Sequence, residues 1–361
     1  MKTLTTFLIL AFCFSLNAQD KKLEKAVNKF LLMESDATIN AGISVGVIDH
    51  DYQNTFSSGE LSKGNNIPPN ANTIFELGSC TKVFTATLIA ILKGEGKLKY
   101  DDNISIYLDK LYFEDKNITI LDLLTHYSGI ARFPSNLPER NENGVSPYDN
   151  YTYKDLLTYL KKYRTTPRLE RRYLYSHTNY ILLTLIIEKI TQQKYEQVLA
   201  DEVLTPLNMV NTTFYIDESN KPAFAQGYNA FQKPVESWNT EVFKGALGLK
   251  STTKDMMIFL NAQLNDADTK LMNIIGKMQD YTSPTNVKNV RTSIGWHRIK
   301  PRKRYYSFFA HSGATDGHQV YIAFLRETKT AVVFMSNSRN SDYGMGNSVL
   351  KILNNRWKRK N

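Results

Sequence analysis

The sequence predicts an α+β fold, an α/β sandwich in which an antiparallel sheet built from both termini is flanked by helices and interrupted by a large helical insertion. Strand-like runs occur early, at residues 41–61, and late, between residues 293 and 338, whereas the middle of the chain has mostly helical spacing. Strands at both ends favour one shared sheet over two separate domains. The 361 residues, 42% of them hydrophobic and 22% charged, have the composition of a folded globular protein.

The first residues have the pattern of a secretory signal peptide. Lys2 supplies a short basic region, and the apolar run 7–16 is too short to span a bilayer as a mature helix. Ala18 is the small residue after which we expect cleavage. A retained N-terminal anchor is the alternative, whereas a lipid anchor at Cys13 is disfavoured by the bulky Phe12 before it. The mature protein is therefore predicted to be secreted or periplasmic, with no stable membrane span.

After the signal peptide, residues 1–18, a single domain is predicted over residues 19–361, with its sheet part at 19–78 and 290–361 and its helical part at 79–289. Apolar residues at helical spacing predict helices over 22–33, from 79 to the glycines at 94 and 96, and over 120–124, 153–163, 179–191, 254–264 and 347–357. Apolar runs rich in β-branched and aromatic residues predict strands at 41–49, 53–61, 293–299, 304–313, 318–327 and 330–338. Loops rich in Pro, Asn and Tyr, such as 132–150, are typical places for substrate contact.

The chain carries a net charge of +10, part of it in the C-terminal residues 356–361. Two interpretations stay open: a solvated basic face, or attraction to acidic polymers or substrates of the cell envelope. Nucleic acid is not expected as a partner, since the protein is predicted to be exported and no nucleic-acid-binding module is recognisable. Cys80 is the cysteine that stays after signal cleavage, so no internal disulfide is expected.

The motif Ser-x-x-Lys occurs three times, at Ser79/Lys82, Ser251/Lys254 and Ser348/Lys351. Near the second copy, Thr252 and Asp255 have the spacing of a helix capping box, so Ser251 or Thr252 is interpreted as a helix cap. The third copy lies within the predicted C-terminal helix, where a polar outer face explains it. These two copies are therefore interpreted as structural.

Ser79 has a different context, because it follows Gly78 and opens a strongly apolar helix. Ser79 and Lys82 share one helix face at this spacing. The N-terminus of a helix points backbone N–H groups toward an anion that forms on a substrate carbonyl. A lysine in a dry site can lose its proton near neutral pH and act as a base. A nucleophile beside its base is thus one interpretation, and a serine that only caps the helix is the other.

Two further motifs decide between these interpretations. Tyr175-Ser176-His177 precedes an apolar helix, and His311-Ser312-Gly313 lies on a predicted strand. Together with Ser79-Cys80-Thr81-Lys82, they resemble the three motifs of the serine β-lactamase and penicillin-binding protein superfamily, in its class C β-lactamase-related branch. That branch also contains DD-peptidases, esterases and D-aminopeptidases. Segments at 96–108, 118–130, 206–214, 225–229 and 245–260 resemble further segments of the family in the expected order.

The resemblance implies a role for each matching residue and a fold like that of β-lactamases and transpeptidases. Ser79 would attack a carbonyl and form an acyl-enzyme, while Lys82 and Tyr175 share the proton transfers. The backbone N–H groups of Ser79 and Ala314 would form the oxyanion hole. His311, Ser312 and Gly313 would hold the substrate along their strand, and His311, when protonated, would add positive charge for a substrate carboxylate.

His177 departs from the family, which has asparagine at this position to orient the substrate amide and the lysine. An imidazole can also donate or accept a hydrogen bond, but its reach and charge differ. This difference, and a histidine instead of a lysine at the start of the third motif, favour peptidase or esterase activity over efficient β-lactam hydrolysis.

Other chemistries fit the sequence less well. No Gly-x-Ser-x-Gly motif surrounds a serine, and none of the six histidines forms a paired metal-ligand motif. We expect no cofactor and no metal. His126 is interpreted as structural and Cys80 as a packing residue, and Trp238 and Trp296 line either the cleft or the core.

The sequence therefore predicts an exported serine hydrolase that cleaves an amide or ester, such as a D-amino-acid peptide, a β-lactam or a small ester. Its partners are expected to be small molecules or peptides, including peptidoglycan fragments. The alternative is a non-catalytic or slowly deacylating penicillin-binding or sensor protein of the envelope that keeps the same fold.

Overall fold

The largest element of the fold is one antiparallel sheet of eight strands. The computed structural model describes residues 18–39, 41–109, 117–139, 146–163, 172–264, 269–301, 305–342 and 344–356. The strand order is β2-β1-β12-β11-β10-β9-β8-β7. The strands of this sheet are β1 (Ile43–Asp49), β2 (Tyr52–Ser58), β7 (Ser283–Pro284), β8 (Val290–Thr292), β9 (His297–Ile299), β10 (Phe308–Ala314), β11 (Gln319–Leu325) and β12 (Thr330–Ser336). Strand β1 pairs with β12, so the two ends of the chain share the sheet.

Helices cover both faces of this sheet. They are α1 (Ala18–Ala37), α2 (Thr81–Gly94), α3 (Ile120–Thr125), α4 (Tyr153–Lys162), α5 (His177–Thr191), α6 (Tyr195–Leu199), α7 (Thr253–Leu264), α8 (Lys270–Lys277) and α9 (Gly344–Arg356). Helices α1 and α9 pack on one face over a core that includes Leu23, Val27 and Leu353. Helix α7 packs on the other face, where the larger core continues into the helical part. Strands β1, β11 and β12 are buried along their whole length because both faces are covered.

The predicted α+β fold with a sheet from both termini is confirmed. The predicted helices are present with ends that shift by a few residues, and Thr252 accepts a hydrogen bond from the backbone N–H of Asp255 at 3.1 Å, as a helix cap does. Strand 293–299 was predicted too long. Ser293 donates its backbone N–H to the carbonyl of Trp296 at 2.7 Å, and Gly295 has a φ of +74°, so a turn precedes the short β9.

Several short elements have no counterpart among the predictions. They are α6, α8, the two-stranded sheets β3 (Ile74–Glu76) with β6 (Lys250–Thr252) and β4 (Gly227–Tyr228) with β5 (Pro234–Val235), and the π-helical turns Ala200–Leu204 and Lys244–Gly248. Strand β7 begins at Ser283, inside the segment that the sequence assigns to the helical part. The predicted signal peptide lies outside the described residues except for Ala18. Within the described part of the chain, no helix has both the length and the apolar character needed to cross a membrane.

Candidate active site

Ser79 lies in a tight turn between strand β3 and helix α2. Residues Gly78–Cys80 form one turn of 3₁₀ helix, and Thr81 begins the α-helix proper. Gly78 has a φ of +49°, a conformation that side-chain-bearing residues rarely adopt. The turn presents Ser79 to a cavity of about 510 Å³, while its neighbours Gly78 and Cys80 are buried. The serine is thereby accessible at the start of an otherwise buried helix.

The end of strand β10 packs backbone to backbone against this turn. A Cβ atom on Gly78 would lie 2.6 Å from the carbonyl oxygen of Ala314, and one on Gly313 would lie 2.0 Å from the carbonyl oxygen of Leu77. Only glycine leaves room for such an approach. Gly78, just before the first motif, and Gly313 of the third motif therefore bring the backbones of Ser79 and Ala314, the predicted oxyanion-hole residues, next to each other.

Lys82 lies one turn into helix α2 and is completely buried, with 0% of its surface exposed. Its Nζ is 3.3 Å from Ser79 Oγ, 2.9 Å from His177 Nδ1 and 2.8 Å from the carbonyl oxygen of Ala246. Ala246 belongs to the π-helical turn Lys244–Gly248, an element without a sequence signal that we recognised. Three different segments of the chain thus surround the lysine amine.

The surroundings of Lys82 favour its neutral form. Burial lowers the pKa of Lys82 well below its ordinary value, and the positive charge of Arg132 lowers it further. Of the atoms within hydrogen-bonding distance of Nζ among the described residues, none is a carboxylate oxygen that would stabilise the ammonium ion. Lys82 can consequently accept a proton near neutral pH.

Tyr175 lies just before helix α5 and lines the same cavity as Ser79. Burial raises the pKa of Tyr175 far above its ordinary value, although the interaction of its hydroxyl with Ser79 opposes this. The Nζ of Lys82 lies 5.2 Å from the centre of the tyrosine ring. The surroundings thus favour a protonated phenol at Tyr175 and a neutral amine at Lys82.

His126 holds the Tyr175 segment in position. Its ring lies 4.4 Å from the Tyr175 ring, and its Nδ1 accepts a hydrogen bond from the backbone N–H of Ser176 at 3.1 Å. Its carbonyl accepts the backbone N–H of Leu174 at 2.8 Å. Burial lowers the pKa of His126 well below its ordinary value, so the ring is neutral. These contacts match the predicted structural role.

His177 lies inside the site, at the first residue of helix α5, and only 3% of its surface is exposed. Its ring stacks on Phe133, with ring centres 4.6 Å apart and an interplanar angle of 17°. Burial and then the charges of Lys82 and Arg132 lower the pKa of His177 well below its ordinary value. A neutral imidazole therefore stands 2.9 Å from Lys82 Nζ, where the family has asparagine.

His311 lies on β10 beside the cavity, where its surroundings disfavour a positive charge on the ring. Its Nδ1 is 2.9 Å from the carbonyl oxygen of Ser312, which can only accept, so Nδ1 carries the proton. Burial and then the neighbouring His297 and Lys82 lower the pKa of His311 well below its ordinary value. Burial also lowers the pKa of His297 to about 4. Both rings are thus neutral near pH 7.

The outer wall of the cavity contains residues that the sequence analysis missed or left undecided. Arg132 and Phe133 come from the loop that the sequence marks as a typical place for substrate contact. Tyr148, from the same loop, packs against Trp238 with ring centres 4.7 Å apart. Arg339 follows β12 and is exposed at the cavity. Arginine and aromatic residues in a Pro- and Asn-rich loop were the available signal for the first three.

A buried carboxylate supports this wall. Glu76 on β3 accepts hydrogen bonds from the backbone N–H of Trp238 at 2.9 Å and from Ser237 Oγ at 2.8 Å. His318 Nδ1 lies 3.2 Å from the other carboxylate oxygen, and its Nε2 lies 3.1 Å from the carbonyl oxygen of Ala225. The two ring nitrogens of His318 thus each contact an oxygen atom, one of the Glu76 carboxylate and one of the Ala225 backbone.

Cys80, interpreted from the sequence as a packing residue, and Trp296, which was left undecided, both belong to the core. Cys80 is fully buried, with its Sγ 3.7 Å from the carbonyl oxygen of His311, and burial raises the pKa of its thiol far above the ordinary value. Trp296 is 1% exposed and packs edge-on against Phe324 with ring centres 4.9 Å apart. Neither side chain lines the cavity, whereas Trp238 does.

The sequence and the fold of the chain were compared with those of known proteins. The family model described as Beta-lactamase matches residues 34–352. A β-lactamase of Providencia stuartii is 26% identical over 327 residues, which cover 82% of this chain and 82% of that protein. The solved structure of a class C β-lactamase is similar with a TM-score of 0.82 and 21% identity, over 96% of this chain and 99% of the other.

A second solved structure, of a β-lactamase/D-alanine carboxypeptidase from Pseudomonas syringae, has a TM-score of 0.78 and 21% identity. It covers 92% of this chain and 98% of that chain. The structural likeness confirms the predicted fold, and the family match extends over most of the sequence. The resemblance inferred from the three motifs is therefore confirmed: the chain belongs to the Beta-lactamase family of serine hydrolases.

Proposed function

We propose that the protein cleaves amides or esters through an acyl-enzyme on Ser79. The observation that carries this proposal is the distance of 3.3 Å between Ser79 Oγ and the Nζ of a buried lysine whose pKa is lowered well below its ordinary value. A nucleophilic hydroxyl needs an adjacent base, and a neutral amine at hydrogen-bonding distance meets that need.

The hydrogen bonds of Lys82 support a specific arrangement of its protons. A neutral amine has two N–H groups and one lone pair. The carbonyl of Ala246 accepts one N–H at 2.8 Å, and His177 Nδ1, unprotonated in one neutral tautomer, accepts the other at 2.9 Å. The lone pair is then left for the Ser79 hydroxyl. In this arrangement His177 replaces the asparagine of the family as the acceptor that orients the lysine.

The reaction then proceeds in two halves. Lys82 accepts the Ser79 proton while Oγ attacks the substrate carbonyl, and the resulting oxyanion is stabilised by the backbone N–H groups of Ser79 and Ala314. The Tyr175 phenol passes a proton to the leaving amine or alcohol and regains one from the Lys82 ammonium. Water next attacks the acyl-enzyme and gives a proton to Lys82, and Lys82 returns this proton to Ser79 Oγ as the bond between Oγ and the acyl group breaks.

The charges at the cavity support a substrate that carries a carboxylate. His311 and His297 are neutral, so Arg132 and Arg339 provide the positive charges among the described residues that line the cavity. The guanidinium of Arg132 lies 5.5 Å from the centre of the Tyr175 ring, close to the reacting groups. A peptide ending in D-alanine, like the substrate named for the carboxypeptidase relative, and a penicillin both have such a group.

The test is a panel of three substrates: a chromogenic cephalosporin, a peptide ending in D-alanyl-D-alanine and an uncharged nitrophenyl ester. We expect hydrolysis of at least one substrate by the wild type, loss with Ser79→Ala and retention with Ser348→Ala, which removes the serine of another Ser-x-x-Lys motif. Full activity of Ser79→Ala on every substrate cleaved would contradict the proposal. Acylation without turnover would instead favour the slowly deacylating penicillin-binding alternative, which the replacement of asparagine by His177 motivates.

We also propose that the protein is exported, to the periplasm or the medium, after cleavage behind Ala18. The basic and apolar pattern of the first residues supports this. N-terminal sequencing of the protein isolated from expressing bacteria should begin at Gln19. An N-terminus at Met1 in protein that stays inside the cell would contradict export.

A further inference from the structure

A second large cleft, separate from the active-site cavity, lies at the outer edge of the sheet. It has a volume of about 650 Å³ and is lined by residues of β7, β8 and β9 and of the segments that follow β7 and β9. Four cationic side chains line it: Lys288, Arg291, Arg298 and Lys300. We call this the basic cleft. Among the described residues that line it, there is no Asp or Glu.

Strand β9 contributes to both the basic cleft and the active site. His297 lines the active-site cavity, and Arg298, the next residue, lines the basic cleft. The two sites share this strand but have no lining residue in common, so a ligand in the basic cleft does not occupy the catalytic cavity.

Two arginines of the basic cleft lie directly opposite each other in the sheet. Arg291 on β8 and Arg298 on β9 are partners in the antiparallel register. Like charges in such a pair destabilise a sheet. Arg291 donates Nε to Thr282 Oγ1 at 3.1 Å and Nη2 to the Thr282 carbonyl at 2.9 Å, while the Arg298 guanidinium lies 5.9 Å from the centre of the Phe309 ring. Both guanidinium groups are thus supported by uncharged partners, and a bound anion would relieve their repulsion.

The spacing of the cations fits more than one anionic group. Arg298 and Lys300 are two residues apart, and the ladder continues to Lys300, whose backbone N–H donates to the Asn289 carbonyl at 2.9 Å. Two residues along a strand span about 7 Å. A single phosphate is too small to contact both the Arg291/Arg298 pair and Lys300. Neighbouring phosphates of a chain can each contact one of them. Arginine forks match the geometry of phosphate oxygens.

We propose that the basic cleft binds a polyanion with repeated phosphate groups. This assigns part of the net charge of +10 to a defined site instead of a merely solvated face. The partner is a phosphate-bearing polymer, because the paired arginines and the neighbouring lysines of the cleft suit consecutive phosphate groups. Binding there is a function additional to hydrolysis at Ser79.

The test uses inorganic tripolyphosphate as the probe and calorimetric titration of the mature protein at low and moderate salt. We expect one site per chain and an affinity that falls as salt is added. The double variant R291Q/R298Q should lose at least tenfold in affinity. The control K25Q/K29Q removes the same charge from exposed positions of α1 and should bind like the wild type.

A second variant, K288Q/K300Q, keeps the test decisive if R291Q/R298Q fails to fold, since Lys288 and Lys300 are exposed. It should also weaken binding severalfold. Equal weakening in the control variant would show attraction by net charge alone and would overturn the proposal. Absence of tripolyphosphate binding would overturn it too. So would binding of the protein to phosphatidylglycerol vesicles without any binding of tripolyphosphate, because the surface would then be a membrane contact.

Discussion

At the scale of single residues, the account depends on how Lys82 is kept neutral and aimed at Ser79. The lysine has no room for water, since it is completely buried, and a positive charge at Arg132 disfavours a second charge on the amine. The base form of Lys82 is the deprotonated one. Activity should therefore fall as the pH drops through the lowered pKa of Lys82.

Arg132 provides a test of this electrostatic effect. Arg132→Gln removes a positive charge near Lys82, so the pKa of Lys82 should rise and the acidic limb of the kcat/KM profile should move to higher pH. The measurement uses an uncharged ester, so that lost attraction for a substrate carboxylate does not interfere. Arg132→Lys keeps the charge and should leave the limb in place. A limb that stays unchanged in Arg132→Gln would mean that this charge does not act on the base.

His177 is the second test at this scale. His177→Ala removes the acceptor 2.9 Å from Lys82 Nζ, so the amine loses the bond that orients its lone pair. We expect kcat to fall by roughly tenfold, the equivalent of one hydrogen bond of about 1.4 kcal/mol. His177→Asn restores an acceptor and should recover most of kcat. Equal losses in both variants, measured by steady-state kinetics, would show that more than this acceptor is needed.

At the scale of elements, the site depends on the contact between two backbone segments. The turn Gly78–Cys80 and the end of β10 approach so closely that each needs a glycine at the contact. The same contact brings Ser79 and Ala314 together. The close packing of the turn against β10 therefore also forms the predicted oxyanion hole.

Gly313→Ala tests this contact. The new Cβ would lie 2.0 Å from the Leu77 carbonyl oxygen and 2.9 Å from the Cys80 nitrogen, so the backbones must separate. We expect a loss of about 1–3 kcal/mol in the free energy of unfolding, measured with urea, and a larger relative loss of activity. Gly276→Ala on helix α8 is the control, because its Cβ would meet nothing nearer than 3.4 Å. Unchanged stability and activity of Gly313→Ala would contradict the tight packing.

At the scale of the whole molecule, a buried pair of Glu76 and His318 connects strand β3 to the large sheet. Glu76 on β3 contacts His318 next to β11, and it also holds the Trp238 segment at the cavity. Although burial opposes it, the hydrogen bond and charge of His318, with the charge of Lys250, lower the pKa of Glu76 to about 2. The pair therefore stabilises the fold when Glu76 is ionised.

This pair predicts how stability depends on pH. The Glu76 pKa is about 2 in the folded protein against 4.5 ordinarily, so its contribution is complete above pH 4.5 and is lost as the pH falls toward 2. A lowering of this size corresponds to about 3 kcal/mol. Glu76→Gln should abolish that part of the pH dependence and destabilise the protein at pH 7 by about 3–5 kcal/mol.

The measurement is urea unfolding between pH 3 and pH 7. Glu218→Gln, which changes a carboxylate whose side chain is 92% exposed, is the control and should behave like the wild type. If Glu76→Gln and the wild type lost stability in parallel below pH 4.5, the pair would not have the proposed effect.

The sequence predicts the features that depend on local patterns, but not those that depend on tertiary packing. The long amphipathic helices, the buried strands and the three motifs follow from local patterns, so the sheet from both termini and the positions of Ser79, Lys82 and Tyr175 could be anticipated. Ala246 contacts Lys82 from a distant π-helical turn, and Arg339 reaches the cavity from the end of β12. Such contacts depend on tertiary packing and leave no local pattern. The neutral state of His311 depends on burial, which the strand pattern alone did not reveal.

The central claim, an acyl-enzyme on Ser79, is tested most directly by intact-protein mass spectrometry after rapid quenching of a reaction with a penicillin. We expect the mature protein to gain the full mass of one penicillin and the adduct to map to the peptide that contains Ser79. Its lifetime reports how well the site with His177 deacylates. Ser79→Ala should gain no mass. An adduct of equal amount on Ser79→Ala, or rapid hydrolysis of the penicillin by that variant, would contradict the account.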